Sequence, residues 1–398
     1  MGEDETKMTD RIPIAIIGAG PFGLSAGAHL RELGGRVFGK PMQTWRESMP
    51  DGMLLRSAWE ETSLSAPDGR GSLSEWADAN TQPRVEPIPL ELFLRYSDWF
   101  TQQFVGDHDD AEVAKIEDSE GGTFRLTTSR GDTFDADRVV LAVGVMPFQH
   151  VPDELRDLVG SGVELATRTH ELETLRDQEV AVVGGGQSAL ETAGLAAQAG
   201  ANVELITRSE VHWFADHEPH KPRGPLSRRL YRLAYPAVGY GPPPLNRLVL
   251  HPDLYAHLPA SVRTRLTKRL LRPGGSPWLR ELVDGRVKMR EGVRIREVDR
   301  SNGRLKLRLD DGSQTHADRV LVAAGYRFSL DSLSFLSPGL RSRSATKDGW
   351  PTLDRYFRSV SEPRVFFIGY AAEGRFGPIS RYVLGAEFTA NRVRECLD

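Results

Sequence analysis

An apolar strand running into a glycine turn and a helix, a second such turn near mid-chain, and a duplicated Ala-Asp-Arg strand that ends at glycine together predict the fold class. They predict an α/β chain of two Rossmann-like dinucleotide-binding domains, each with a β-meander, and a helical insertion in the second. The expected boundaries are 1–150 and 320–398 for a discontinuous first domain and 151–319 for the second, with the insertion at 211–285.

The first turn follows Ile14-Ala15-Ile16-Ile17, a short apolar run that reads as a buried strand. Gly18 permits the tight turn and Gly20 lets the backbone approach a pyrophosphate. Gly23 lets the next helix, about Leu24 to Leu33, pack close on the strand. Pro21 and Phe22 lie between these glycines as further contact candidates, and the first turn of the helix offers free N–H groups to phosphates. The following strand should be Arg36-Val37-Phe38, where an acidic residue at the end would hold a ribose. Gly39-Lys40 stands there instead, so that contact is missing or supplied from elsewhere, and Lys40 is the side chain left at that place.

Residues 41–57 are loop-like but rich in Trp and Met. They read either as a satellite core under a long loop or as a dry wall against a flat aromatic ring system. On the second reading Trp45, Met53, Arg56 and Ser57 are the contact residues. A helix from about Pro89 to Phe104 carries a core face, and from Ala111 to Asp137 the pattern becomes a β-meander with glycine turns. The meander runs into Ala136-Asp137-Arg138-Val139-Val140-Leu141, a buried strand that stops at Gly144. Its twin is Ala317-Asp318-Arg319-Val320-Leu321-Val322, which stops at Gly325-Tyr326 after a second meander turning at Asp311-Gly312. Internal similarity of this kind means two related units.

The duplication demands a second glycine turn before the second meander, and Gly184-Gly185-Gly186-Gln187-Ser188-Ala189 supplies it after the strand Glu179 to Val183. Ala189 replaces the third glycine, which loosens the helix–strand contact slightly. The strand after this helix ends in Arg208-Ser209. An arginine there attracts the 2′-phosphate that a carboxylate would repel, which favours NADPH over NADH. Residues 211–285 interrupt this unit with Trp213-Phe214, a proline-rich turn and helical stretches at Leu226–Leu233 and Ser261–Leu271. Arg228, Arg229, Arg232, Arg263, Arg265, Lys268, Arg269 and Arg272 make the segment basic, as a solvated helix face or as a guide for an anionic cofactor or acidic partner. Near the end, Arg364 to Gly369 reads as a last buried strand. Phe376-Gly377-Pro378-Ile379 reads as the entry to a helix over Arg381–Val393 that closes the first domain and faces its ligand.

Composition narrows the function. The 398 residues are 39% hydrophobic and 27% charged, those of a soluble globular protein. A net charge of −4 points to no bulk polyanion partner, and no nucleic-acid module appears. The one cysteine, Cys396, excludes an intrachain disulfide and a redox-active dithiol pair. No metal site is expected. The acidic N-terminus lacks a signal-peptide layout and no apolar run would span a bilayer, so a cytoplasmic location is the default. Self-association stays open.

Two dinucleotide turns in one chain, each followed by a strand returning to glycine, resemble the two-dinucleotide-binding-domain flavoproteins, in which the first turn takes FAD and the second NAD(P)H. Without a cysteine pair the nearest branches are the flavin-containing monooxygenases and the lysine/ornithine N-hydroxylases. Thr44-Trp45-Arg46…Met49…Met53 is similar to the Trp/Met segment beside the flavin of the N-hydroxylases. Gly184-Gly185-Gly186-Gln187-Ser188-Ala189 resembles their NADPH turn, and Ala323-Ala324-Gly325-Tyr326 is close to the Ala-Thr-Gly-Tyr of these monooxygenases. Of the Phe-x-Gly-x-x-x-His fingerprint of the monooxygenases only His170 survives, with Glu164 and Ala166 at its other positions and Thr174 where the Trp or Tyr belongs.

The resemblance implies FAD and NADPH as cofactors, O2 as co-substrate, and oxygenation of a small nucleophilic amine or thioether. His170 is the one residue it offers for a catalytic or orienting role. The substrate pocket is expected from residues 45–66 and the insertion. Two rivals remain: an NAD(P)H-dependent flavin reductase or oxidase that releases peroxide, and a redox-sensing flavoprotein that docks through its basic segment.

Overall fold

The computed structural model describes residues 10–50, 52–168, 172–214, 245–301, 303–344 and 346–398. The first apolar run forms β1 (Asp10–Ile17), buried continuously from Ile14 to Ile17 as a central parallel strand must be. It feeds α1 (Pro21–Leu30) and then β2 (Gly35–Phe38), parallel to β1. A short helix α2 (Gln43–Glu47) and the long amphipathic α3 (Leu90–Phe104) precede β3 (Asp107–Asp109), which extends the sheet beyond β2. The expected meander is β4 (Val113–Asp118), β5 (Phe124–Thr128) and β6 (Thr133–Leu141), all antiparallel. β6 then does double duty, because from Phe134 to Leu141 it also runs parallel to β1, with Asp10 opposite Phe134 and Ile17 opposite Leu141.

The second unit repeats this plan with a break in it. β7 (Val163–Leu165), β8 (Glu179–Val183), α4 (Gln187–Gln198) and β9 (Asn202–Thr207) lead to the insertion, whose described part includes α5 (Ala260–Leu270). After β10 (Lys288–Glu291) the meander β11 (Ile295–Ser301), β12 (Arg304–Leu309) and β13 (Gln314–Ala317) forms a sheet of its own. Asp318 separates it from β14 (Arg319–Val322), where the first unit has one unbroken strand. The all-parallel order is β10-β9-β8-β14-β7.

β14 pairs with β8 and β7, so Arg319–Val322 belong to the second sheet. The strand expected to open the returning part of the first domain at 320 thus lies in the second sheet. The chain then returns to the first sheet with β15 (Val365–Phe367) on β6, and α6 (Gly385–Leu397) packs across α1. The last helix starts later than the sequence suggested. Gly377-Pro378 opens a single 3-10 turn, Pro378–Arg381, and extended backbone at Tyr382 ends it. A Cβ on Gly385 would lie 2.2 Å from the Ile379 carbonyl oxygen, so the helix begins where the chain folds back on that turn.

Candidate functional site: two glycine turns

The two turns share a hydrogen-bonded frame. The Gly18 N–H donates to the Phe38 carbonyl at 2.9 Å and the Gly184 N–H to the Ile206 carbonyl at 3.0 Å. Ala142 donates to the Ile17 carbonyl at 2.8 Å and Ala323 to that of Val183 at 2.9 Å. A Cβ on Gly18 would fall 2.5 Å from the Ala142 oxygen, and one on Gly184 would fall 2.3 Å from the Ala323 oxygen. Both also hold positive φ, +105° and +151°. The protein's own packing demands the first glycine of each turn.

The second glycine answers to something else. A Cβ on Gly20 would meet nothing within 4 Å, and one on Gly186 only Pro273 Cβ at 3.8 Å. Glycine there keeps space clear at the N-termini of α1 and α4, where free N–H groups and the helix dipole favour an anion. Residues of this kind fit a dinucleotide pyrophosphate at each turn. Gly144 and Gly325, at the ends of the returning strands, likewise face open space.

Around the first turn, the Met42 N–H donates to the Ala19 carbonyl at 2.9 Å and so anchors the Trp/Met segment beside the glycines. Trp45 is half-buried, edge-on to Phe93 at 5.0 Å, while the Met53 carbonyl accepts from Leu90 at 3.0 Å. Trp59 is core: it is 2% exposed and its Nε1 donates to Ser74 at 3.0 Å. Phe22 lies where a Cβ on Gly369 would approach its ring to 3.3 Å. Gly39 has φ +111°, a conformation that an Asp or Glu rarely adopts, which accounts for the missing acid. Lys40 pairs with Glu47 at 3.6 Å.

Ser57 shares a hydrogen bond with Thr62 at 2.8 Å, and the Arg56 guanidinium lies 5.0 Å from the Phe214 ring centre. Burial pushes the Tyr382 hydroxyl up, opposed by the nearby Arg56 charge. The insertion thus touches the 53–57 segment, whose Arg56 in turn reaches Tyr382 at the end of the C-terminal strap, residues 374–382. It also packs under that strap, because a Cβ on Gly377 would lie 2.6 Å from the Tyr255 ring, and Arg263 Nε donates to the Gly374 carbonyl at 3.1 Å. Phe376 is buried and stacked on Phe357 at 4.1 Å, and Pro378 and Ile379 are buried beside it. The structure puts Phe376 in the core, between Phe357 and Phe388. Sequence reasoning missed the buried Glu373–Arg381 pair here, with Arg381 also 4.5 Å over the Tyr370 ring. No periodicity or motif marks it.

Around the second turn, Gln187 opens α4 and its Oε1 accepts from the Ser276 N–H at 2.9 Å. The end of the insertion is therefore a wall of this turn, which spacing did not reveal. Ser188, Arg208 and Ser209 are exposed at the mouth, and Thr207 Oγ1 donates to the Ser209 carbonyl at 3.1 Å. Tyr326 is half-buried opposite Gln149. His170, the helical stretch at 226–233 and the proline-rich turn lie outside the described residues. No helix among the described residues is long and apolar enough to cross a membrane.

A family profile, that of the pyridine nucleotide-disulphide oxidoreductases, matches residues 15–227, more than half of the chain and both glycine turns. The chain belongs to that family. This oxidoreductase is 40% identical over 100 residues to the ferredoxin–NADP reductase of Lacticaseibacillus paracasei, covering 24% of this chain and 30% of that protein. It is 35% identical over 86 residues to the bifunctional thioredoxin reductase/thioredoxin of Mycobacterium leprae, covering 21% and 18%. The chain thus matches less than a third of the length of these curated relatives.

Its fold is that of much larger stretches of solved structures. The ornithine hydroxylase of Pseudomonas aeruginosa superposes with a TM-score of 0.73 at 16% identity, covering 97% of this chain and 98% of that one. The L-lysine 6-monooxygenase of Pseudomonas syringae gives 0.71 at 18%, covering 97% and 99%. The bacillithiol disulfide reductase of Staphylococcus aureus gives 0.63 at 16%, covering 98% of each. At such identities the likeness is one of fold.

Proposed function

We propose that this oxidoreductase is an FAD-dependent, NADPH-using monooxygenase that oxygenates a small nucleophilic amine or thioether. FAD belongs at the Gly18–Gly23 turn and NADPH at the Gly184–Ala189 turn. When bound, the pair supplies hydride transfer and O2 activation, so the hard chemistry is the cofactors' own. The chain's residues bind, orient and exclude water. The N–H groups opening α1 and α4 take the pyrophosphates, and Arg208 takes the 2′-phosphate. Trp45 and Met53 form a dry wall at the first turn, while Arg56 and Phe214 close the side towards the insertion.

The observation that carries this reading is the pair of clear glycine cradles in a chain whose one cysteine, Cys396, is on α6. Two dinucleotides fit, and a single thiol leaves no dithiol relay to a disulfide substrate. The local identity with a ferredoxin–NADP reductase favours a second reading, a flavin reductase or oxidase without oxygen transfer. Turnover of NADPH against a panel of amines and thioethers separates the two. The monooxygenase gives an oxygenated product matching the NADPH consumed, and near-stoichiometric peroxide with every compound would overturn it.

A further inference from the structure

The two chain crossings between the units meet in a short antiparallel pairing. Gln149 stands opposite Tyr326. The His150 N–H donates to the Gly325 carbonyl at 2.9 Å, and the Arg327 N–H to the Phe148 carbonyl at 2.7 Å. His150 thus stands against Gly325 and Arg327 against Phe148, which makes His150 and Arg327 diagonal neighbours across the pairing. Gly325 follows β14, which lies directly beside β8 and its glycine turn. On the other side of β8, β9 ends at Thr207 and delivers Arg208 to the same mouth.

Charge tells the same story. Burial and the charges of Arg327 and Arg208, with Arg156 behind them, hold the His150 imidazole below its usual range, and Asp153 alone opposes them. Asp153 is itself paired with Arg156. Among the described residues neither Arg208 nor Arg327 has an ion-pair partner, and both are exposed. With Asp153 taken up by Arg156, the cations that remain here repel one another unless an anion lies between them.

We propose that His150 and Arg327 grip the pyrophosphate of the nicotinamide dinucleotide, across β8 from Arg208, which takes the 2′-phosphate. A dinucleotide on an open parallel sheet crosses at the carboxyl ends of its central strands, with its pyrophosphate over the turn and a nucleoside to either side. The pyrophosphate therefore passes between the groups after β14 and those after β9. A bound pyrophosphate favours the protonated imidazole that burial and the two arginines disfavour, so His150 takes up a proton from solvent as the dinucleotide binds. The proposal rests on the nicotinamide reading of the second turn.

Titration calorimetry of the FAD-loaded protein with NADP+ and with NAD+ tests it. Arg327→Ala weakens both dinucleotides about tenfold and leaves their ratio unchanged. Arg208→Ala weakens NADP+ far more than NAD+. Wild-type affinity for NAD+, which has no 2′-phosphate to titrate in this range, rises as pH falls from about 7.5 to about 5.5, and His150→Asn flattens that rise. Retained flavin absorbance in each variant reports an intact fold. Unchanged affinities in Arg327→Ala, a loss confined to NADP+, or a rise in NAD+ affinity at low pH that survives His150→Asn would each overturn the proposal. A wild-type protein that binds FAD but neither nicotinamide dinucleotide would instead overturn the reading of the second turn.

Discussion

At the turn around Gly18 a methyl on the third glycine would lie 1.8 Å from the Gly18 carbonyl oxygen, whereas the turn around Gly184 already carries that methyl on fully buried Ala189. The frames match bond for bond, yet only the second leaves room for that methyl. The same register makes Gly39 the counterpart of Thr207 and Lys40 that of Arg208. It also sets Ser25, whose Oγ accepts from the Ser65 N–H at 3.1 Å, against Glu191. One repeated plan thus gives a constant pair of glycines two different surroundings. The first turn is closed by its own chain through Met42 and Phe22. The second is walled by the insertion through Ser276 and bordered by cations.

Substitutions break this comparison at graded cost. Gly23→Ala is the most severe, because the methyl meets a backbone oxygen that cannot retreat. It should cost about 3 kcal/mol or more and release FAD, as thermal unfolding and flavin absorbance will report. A stable, yellow Gly23→Ala protein would contradict the packing argument.

Glu191 comes next. Burial pushes its carboxyl up to about 7, so the folded state holds a proton that the unfolded chain releases above its ordinary range. Stability contributed at this site falls as pH rises from about 4.5 to about 7, and the full penalty is present above that. Glu191→Gln should therefore stabilise the protein by about 2 kcal/mol at pH 8 and by almost nothing at about pH 4. Urea unfolding at the two pH values decides it, and equal shifts would reject it.

Arg208→Ala should weaken NADPH about tenfold or more while leaving NADH nearly untouched, and equal losses would remove the phosphate role. Ala189→Gly gives up one buried methyl and some helix propensity, about 1 kcal/mol, without loss of either cofactor. Lys40→Ala should be smallest, within about 0.5 kcal/mol, because its ion pair with Glu47 is exposed.

The frame was legible in the sequence because glycine spacing and a repeated Ala-Asp-Arg strand are local patterns with geometric causes. The turns, the meanders and the return strands all appear where the residues put them. The helix entry at Gly377 misled because Gly-Pro also suits an isolated 3-10 turn, and only the approach of Gly385 to Ile379 decides between them. The break at Asp318 between β13 and β14 was hidden because both copies read as the same string of residues. The walls of the site come from long-range contacts such as Ser276 on Gln187 and Arg263 on Gly374, which no spacing rule encodes.

The central claim is that the two cradles hold different nucleotides, flavin at Gly20 and nicotinamide at Gly186. Flavin absorbance and NADP+ affinity of purified Gly20→Val and Gly186→Val proteins test it in one comparison. Gly20→Val should come out colourless, while Gly186→Val should stay yellow and lose NADP+. A wild-type protein that cannot be loaded with FAD, or equal loss of flavin from both variants, would contradict it.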